Sequence, residues 1–123
     1  MNLAEEIRRT QVSQGELMIC WLGQAGYLLK DGHGCTLAVD PYLDYDAIPV
    51  VKERSPKTQF FGPTSCLDVL AEMGVEKSRC HRLDRGMRYG DRRVLVEAAT
   101  ADHGTMAPDA IGVLLEMGGH RLY

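Results

Sequence analysis

Residues 17–39 carry three apolar runs, 17–22, 26–30 and 35–39, separated by Gly23 and Gly26 and then by the turn Asp31-Gly32-His33-Gly34. Runs this short, with glycine punctuation between them, fit strands, and their succession is that of a β-meander. The strands are apolar on both faces, so the pattern predicts a sheet covered on both sides. Trp21 and Tyr27 are its core or sheet-face aromatics. Gly23, Gln24 and Gly26 read as a tight strand connection or as a backbone cradle.

The remaining elements attach to that meander. "NLAEEIRR" predicts a short leading helix, with Asn2 as N-cap, Glu5 in the first turn, and Arg8 and Arg9 at its negative end. Residues 40–58 lose all periodicity and hold Pro41, Pro49 and Pro56, which predicts a loop. "FFGPTSCLDVLAEMG" predicts a strand at 59–61 and then a helix. Thr64 or Ser65 is its N-cap, Cys66, Leu67, Leu70 and Met73 form its apolar face, and Gly74 stops it. "RCHRL" and "RRVLVEAAT" read as strands separated by a Tyr89-Gly90-Asp91 turn, and "IGVLLEMGGHRLY" as a hairpin turning at Gly118-Gly119. The expectation is α+β: an N-terminal β-meander, β-hairpins and two helices.

At 123 residues the chain is one domain's worth and needs no structural metal to fold. Fourteen basic against seventeen acidic residues leave a formal charge of −3, which argues against a general nucleic-acid binder. No run approaches the roughly 20 apolar residues of a membrane span, and the charged N-terminus is no signal peptide. Cys20, Cys35, Cys66 and Cys80 form no C-x-x-C pair and read as buried, reduced thiols, with Cys66 on the apolar helix face. A reducing cytoplasm, with no membrane and no nucleic-acid partner, is the expected setting.

The candidate chemistry sits at "AATADHGTM", where a strand ends on Asp102 and His103. Strand ends converge while the sheet stays rigid, so such a histidine suits a metal ligand, or else a locally hydrogen-bonded surface residue. Asp102 could orient the imidazole as a supporting carboxylate, although strand neighbours point apart. Asp40, before Pro41, is a turn-initiating residue and a candidate support for the floor of a site. Arg82, Arg85 and Arg88 belong to an arginine-rich stretch that reads as an anion contact or as a solvated hairpin face. Cys80 and His81 are adjacent on a strand and so cannot form a nucleophile–base pair.

The succession "WLGQAGYLL", "VDPYLD", "FFGPTSC" and "VEAATADHG…GVLLEMGGHRLY" resembles the metallo-β-lactamase superfamily, in the branch that includes L-ascorbate-6-phosphate lactonase and related metal-dependent hydrolases. The resemblance spans almost the whole chain and implies an αββα sandwich with a metal site along one edge. It implies zinc or manganese in intact relatives, and a metal-bound hydroxide that attacks a small-molecule lactone, ester or phosphodiester. By that resemblance His103 is a metal ligand, and Asp40 is the family's aspartate of the "DP" loop. The family's His-x-His-x-Asp-His motif has no counterpart, because Lys57-Thr58 run directly into Gln59-Phe60. The resemblance therefore implies a single partial domain over 1–123 with an internal deletion near 58–59, inactive and binding no metal by itself. The alternative expectation is a non-catalytic binding or self-assembly module, such as a homo-oligomer, that uses the exposed face of half a sandwich.

Overall fold

In the computed structural model, which describes residues 2–23, 25–40 and 47–123, the chain is mixed α+β. Among the described residues there are nine strands in three sheets and three α-helices. The leading helix α1 covers Leu3–Arg9, and Asn2 Oδ1 accepts the Glu5 N–H at 3.0 Å. The meander follows as β1 (Leu17–Gly23), β2 (Gly26–Asp31) and β3 (Thr36–Val39), paired antiparallel in that order. Its second turn is held by Asp31, a buried carboxylate whose Oδ1 accepts the N–H groups of His33 and Cys35, each at 2.9 Å. Lys30 on β2 donates to the carbonyls of Ile7, Arg8 and Thr10 at 3.2, 3.1 and 2.8 Å. An ammonium at the negative end of α1 satisfies carbonyls that the helix cannot, and fastens the helix to the sheet.

The stretch expected as a loop contains a second helix, α2 (Ala47–Arg54), so there are three helices and not two. Residues 41–46 of that stretch, and Gln24 of the glycine turn, lie outside the described residues. Pro49 falls in the first turn of α2, where its missing N–H would have had no helical partner. Arg79, itself buried, closes the other end of α2. Its guanidinium donates to the carbonyls of Lys52, Ser55 and Thr58 at 3.1, 2.9 and 3.0 Å and to Glu76 at 3.2 Å, and it lies over the Phe60 ring. A distant cation thus caps the carbonyls of residues 52–58, of which that of Ser55 also accepts the Thr58 N–H at 3.0 Å.

Beyond that clamp, β4 (Phe60–Gly62) leads into α3 (Thr64–Glu72). The expected helix stop is present. Gly74 has φ +80° and donates to the Ala71 carbonyl at 3.0 Å, while the buried Val75 donates to the Leu70 carbonyl at 3.0 Å. That pair of bonds is a Schellman closure. The helix start differs: Thr64 is already helical, Pro63 occupies the N-cap position, and neither Thr64 nor Ser65 caps. β5 (Cys80–Arg82) pairs parallel with β4, Phe61 opposite His81.

β6 (Arg88–Gly90), β7 (Val94–Thr100), β8 (Ile111–Met117) and β9 (His120–Leu122) form an antiparallel sheet in sequence order. Tyr89 and Gly90 are therefore strand residues, and the turn expected there lies at Asp91–Arg93. The Gly118-Gly119 turn forms as expected, with φ +58° and +82°, the positive angles a two-residue hairpin turn demands.

The two larger sheets share one core. Leu29 of the meander clusters with Leu83, Val96, Ala98, Leu115 and Met117, flanked by Leu17, Leu37 and Val39. Cross-strand register puts Ile19 and Trp21 of β1 and Tyr27 of β2 on the same inner face as Leu29. These three remain 52%, 64% and 41% exposed, so the meander is not covered on both sides. The second sheet spans only part of its inner face. Nor are the thiols buried: all four are free, Cys66 is exposed and the other three are half-buried.

Replacing Arg79 with lysine keeps the charge and loses the planar fork, and should cost about 2–4 kcal/mol of unfolding free energy. Urea denaturation measures this, and an unchanged midpoint would show the clamp to be idle. In the β6–β7 turn, the Arg93 side chain, the Arg93 N–H and the Val94 N–H hold the Asp91 carboxyl down at about 2. A depressed carboxyl supports the fold above its ordinary value and stops doing so as pH falls through the lowered one. Carboxyl NMR should find Asp91 titrating near pH 2, and a value in the usual aspartate range would refute the turn network.

Candidate functional site

β7 ends at Thr100, and residues 101–110 loop back to β8 through a 3-10 turn at Gly104–Met106. Arg85 holds this loop. Its Nη2 donates to the carbonyls of Pro108 and Ala101 at 2.8 and 3.3 Å, and its Nε to that of Ala110 at 3.4 Å. Asp109 ties the same loop to α3, accepting the Ser65 N–H at 3.0 Å and the Ser65 hydroxyl at 2.8 Å. A carboxylate at a helix N-terminus meets unsatisfied N–H groups and the positive end of the dipole. The cap missing from residues 63–65 is thus supplied from 44 positions away.

Around this junction lie several groups that the sequence singles out. Asp40 follows β3 in an exposed position with φ +43°, a left-handed conformation that non-glycine residues adopt at a cost. Cys66 packs against Gly62, where an added Cβ would lie 3.2 Å from the Cys66 Cβ. Partial burial pushes the Cys66 thiol above its ordinary value. The Ser65 hydroxyl opposes that rise, and the charges of Asp109 and Asp40 add to it. This thiol is no activated nucleophile.

His103 is exposed and begins the 3-10 turn. Asp102 does not orient it: Asp102 Oδ1 accepts the Gly104 N–H at 2.9 Å within its own loop. Among the described residues, no group of three or more His, Cys, Asp and Glu side chains is placed to hold a metal ion. A catalytic zinc needs about three protein ligands and an open water position. The donors described around His103 do not fit such an ion.

The three arginines are each engaged within the chain. Arg82 pairs with Asp84 at 3.0 Å, Arg88 pairs with Glu97 at 3.3 Å, and Arg85 serves the loop carbonyls. An anion would compete with those carboxylates, and the structure does not bring the three guanidiniums onto one ligand. His81 bonds through Nε2 to Gln59 Oε1 at 2.7 Å and stacks on Phe61, with centroids 4.8 Å apart. Beside it, burial raises the Cys80 thiol above its ordinary value. At the far end of β7 an open groove of about 500 Å³ is lined by His33, Arg92, Arg93, His120 and Arg121 among others.

Arg85 and Asp109 organise the candidate site: the arginine-rich pattern singled out Arg85 for an anion, not for loop carbonyls, and nothing local marked Asp109, because each acts on residues 16 to 44 positions away. No helix among the described residues is long and apolar enough to cross a membrane. In comparisons with known proteins, no family model and no curated protein matches the chain.

The Ser65 N–H and then its hydroxyl hold the Asp109 carboxyl below its ordinary value. Its cap is therefore intact above that ordinary value and lost as pH falls through the lowered one. Asp109→Ala should remove the cap at neutral pH, speeding amide exchange at Ser65 and across residues 101–110, whereas Asp109→Asn keeps an acceptor and retains part of the protection. Equal exchange in all three proteins would show that the tie does not order the loop.

Proposed function

We propose that this chain is a partial metallo-β-lactamase-type sandwich, of the lineage of metal-dependent lactonases, esterases and phosphodiesterases. By itself it is a non-catalytic binding or self-assembly module. The lineage is supported by the order of features along the chain: a meander, an Asp-Pro step after β3, a Gly-Pro step into α3, and a strand that delivers His103 to a loop beside that helix. In intact relatives zinc or manganese would supply the hydrolytic chemistry; the described donors here do not make its shell.

The observation that carries the module reading is the open end of the inner face. Ile19, Trp21 and Tyr27 share that face with the buried Leu29 and yet are exposed. Contiguous apolar surface of this kind marks interaction sites on stable proteins. Four free thiols suit a reducing compartment such as the cytoplasm.

Elemental analysis of the purified chain, with its intact mass, should find substoichiometric zinc and manganese. Lactone, ester and phosphodiester substrates should be hydrolysed at the background rate even after either ion is added. Stoichiometric metal accompanied by turnover would falsify the non-catalytic reading.

A further inference from the structure

α1 buries no residue: Leu3 is 52% exposed, and Ile7 is half-buried. Most of its polar contacts stay inside the helix, where Asn2 caps Glu5, Arg9 pairs with Glu5 and the Thr10 hydroxyl donates to the Glu6 carbonyl. Among the described residues, the hydrogen bonds that join α1 to the rest of the protein are the three that Lys30 donates to the carbonyls of Ile7, Arg8 and Thr10. An ammonium has three donors, and this one uses all of them on the end of one helix.

The chain just beyond is fixed in another way. Glu16 N–H donates to the Ser13 carbonyl at 3.1 Å, Ser13 N–H to Glu16 Oε2 at 3.3 Å, and His120 Nε2 bonds to the Gly15 carbonyl at 2.8 Å. Gly32 packs so tightly on this turn that an added Cβ would lie 2.5 Å from the Ser13 carbonyl oxygen. Between that seated turn and the Lys30 bonds, Gln11 and Val12 belong to no helix or strand.

We infer that α1 is a hinged flap, latched by Lys30, that turns on Gln11 and Val12 and leaves Ser13–Glu16 in place when it opens. A seven-residue helix does not persist on its own hydrogen bonds, so an unlatched α1 unwinds as it leaves. Opening of such a segment is local and leaves the core intact. Lys30 lies opposite Met18 in register, and strand alternation puts Leu28 and Cys20 on the same outer face of the meander, away from Leu29. Met18 also lines a groove with Thr10, Gln11 and Val12. The flap therefore gates part of the outer face, and opening it uncovers Met18 beside an ammonium released from its carbonyls. This inference stands apart from the module reading.

Trypsin tests the latch, because cleavage after Arg8 or Arg9 needs the helix unwound and its rate follows the open population. Lys30→Met keeps the stem and removes the donors, and should speed those cleavages roughly tenfold. Lys30→Arg, which keeps a cation, should fall between, and cleavage after Lys77 and Arg82 should be unchanged in both. Equal rates after Arg8 and Arg9 in all three proteins would overturn the latch. Faster cleavage at every site would overturn the flap, since Lys30 would then support the whole fold. Hydrogen peroxide, which transfers one oxygen to a thioether and leaves water, should oxidise Met18 faster in Lys30→Met, with Met117 unchanged. Met18 oxidation at the wild-type rate would overturn the gating of the outer face.

Discussion

Leu29 is the contact on which the structure depends. Of the apolar side chains described in the meander, it is the one buried to within a few per cent, and it belongs to one cluster with Leu83, Val96, Ala98, Leu115 and Met117. Every larger relation between the two sheets is built around that cluster. The Gly118 turn packs on the same end of the meander, where an added Cβ would come within 3.1 Å of the Asp31 Cβ. Trp21 and Tyr27, on the same face, remain largely exposed. A core anchored at one end leaves the other end of the same face exposed, and a seven-residue strand cannot turn its alternating side chains away without changing register.

Where apolar packing is thin, guanidinium groups hold the chain together. Arg79 gathers three carbonyls between Lys52 and Thr58, and Arg85 gathers three between Ala101 and Ala110. A planar five-donor fork suits carbonyls that have no ladder or helix to bond to. Arg79 lies across residues 52–58, between α2 and β4. Arg85 lies across the loop carrying His103. Both therefore act as structural clamps. The surface pairs Arg88–Glu97 and Glu116–Arg121 lie directly opposite in strand register but are exposed, and ion pairs of that kind contribute little.

Features legible in the sequence were those set by neighbours in the chain. The meander, the Asp31 turn, the Gly118-Gly119 hairpin and the Schellman stop at Gly74 each depend on contacts within a few residues, so pattern and turn chemistry suffice. Features missed were set by distance. α2 holds a proline and weak periodicity, and its capping by Arg79 comes from 27 positions beyond Lys52. The parallel pairing of β4 with β5 crosses over through α3, and strands of three residues give too short a pattern to announce their partner. At the candidate site, a strand-end His103 was legible, but whether donors converge on it depends on loop paths. Those paths take Asp102 to its own backbone and Asp109 to α3.

The same asymmetry explains why apolar pattern overstated coverage of the meander. Continuous apolarity in Leu17–Gly23 says that side chains on both faces favour burial, but not how far the fold buries them. The second sheet reads differently: Glu97 and Glu116 interrupt β7 and β8 on the face away from Leu29, and that face pairs its charges across strands. A chain able to write polarity onto one sheet has left it off β1, where a single lysine would have protected the edge. The apolar side chains of β1 therefore record a preference for burial, and the exposure of Ile19 and Trp21 shows that the described residues meet that preference only in part.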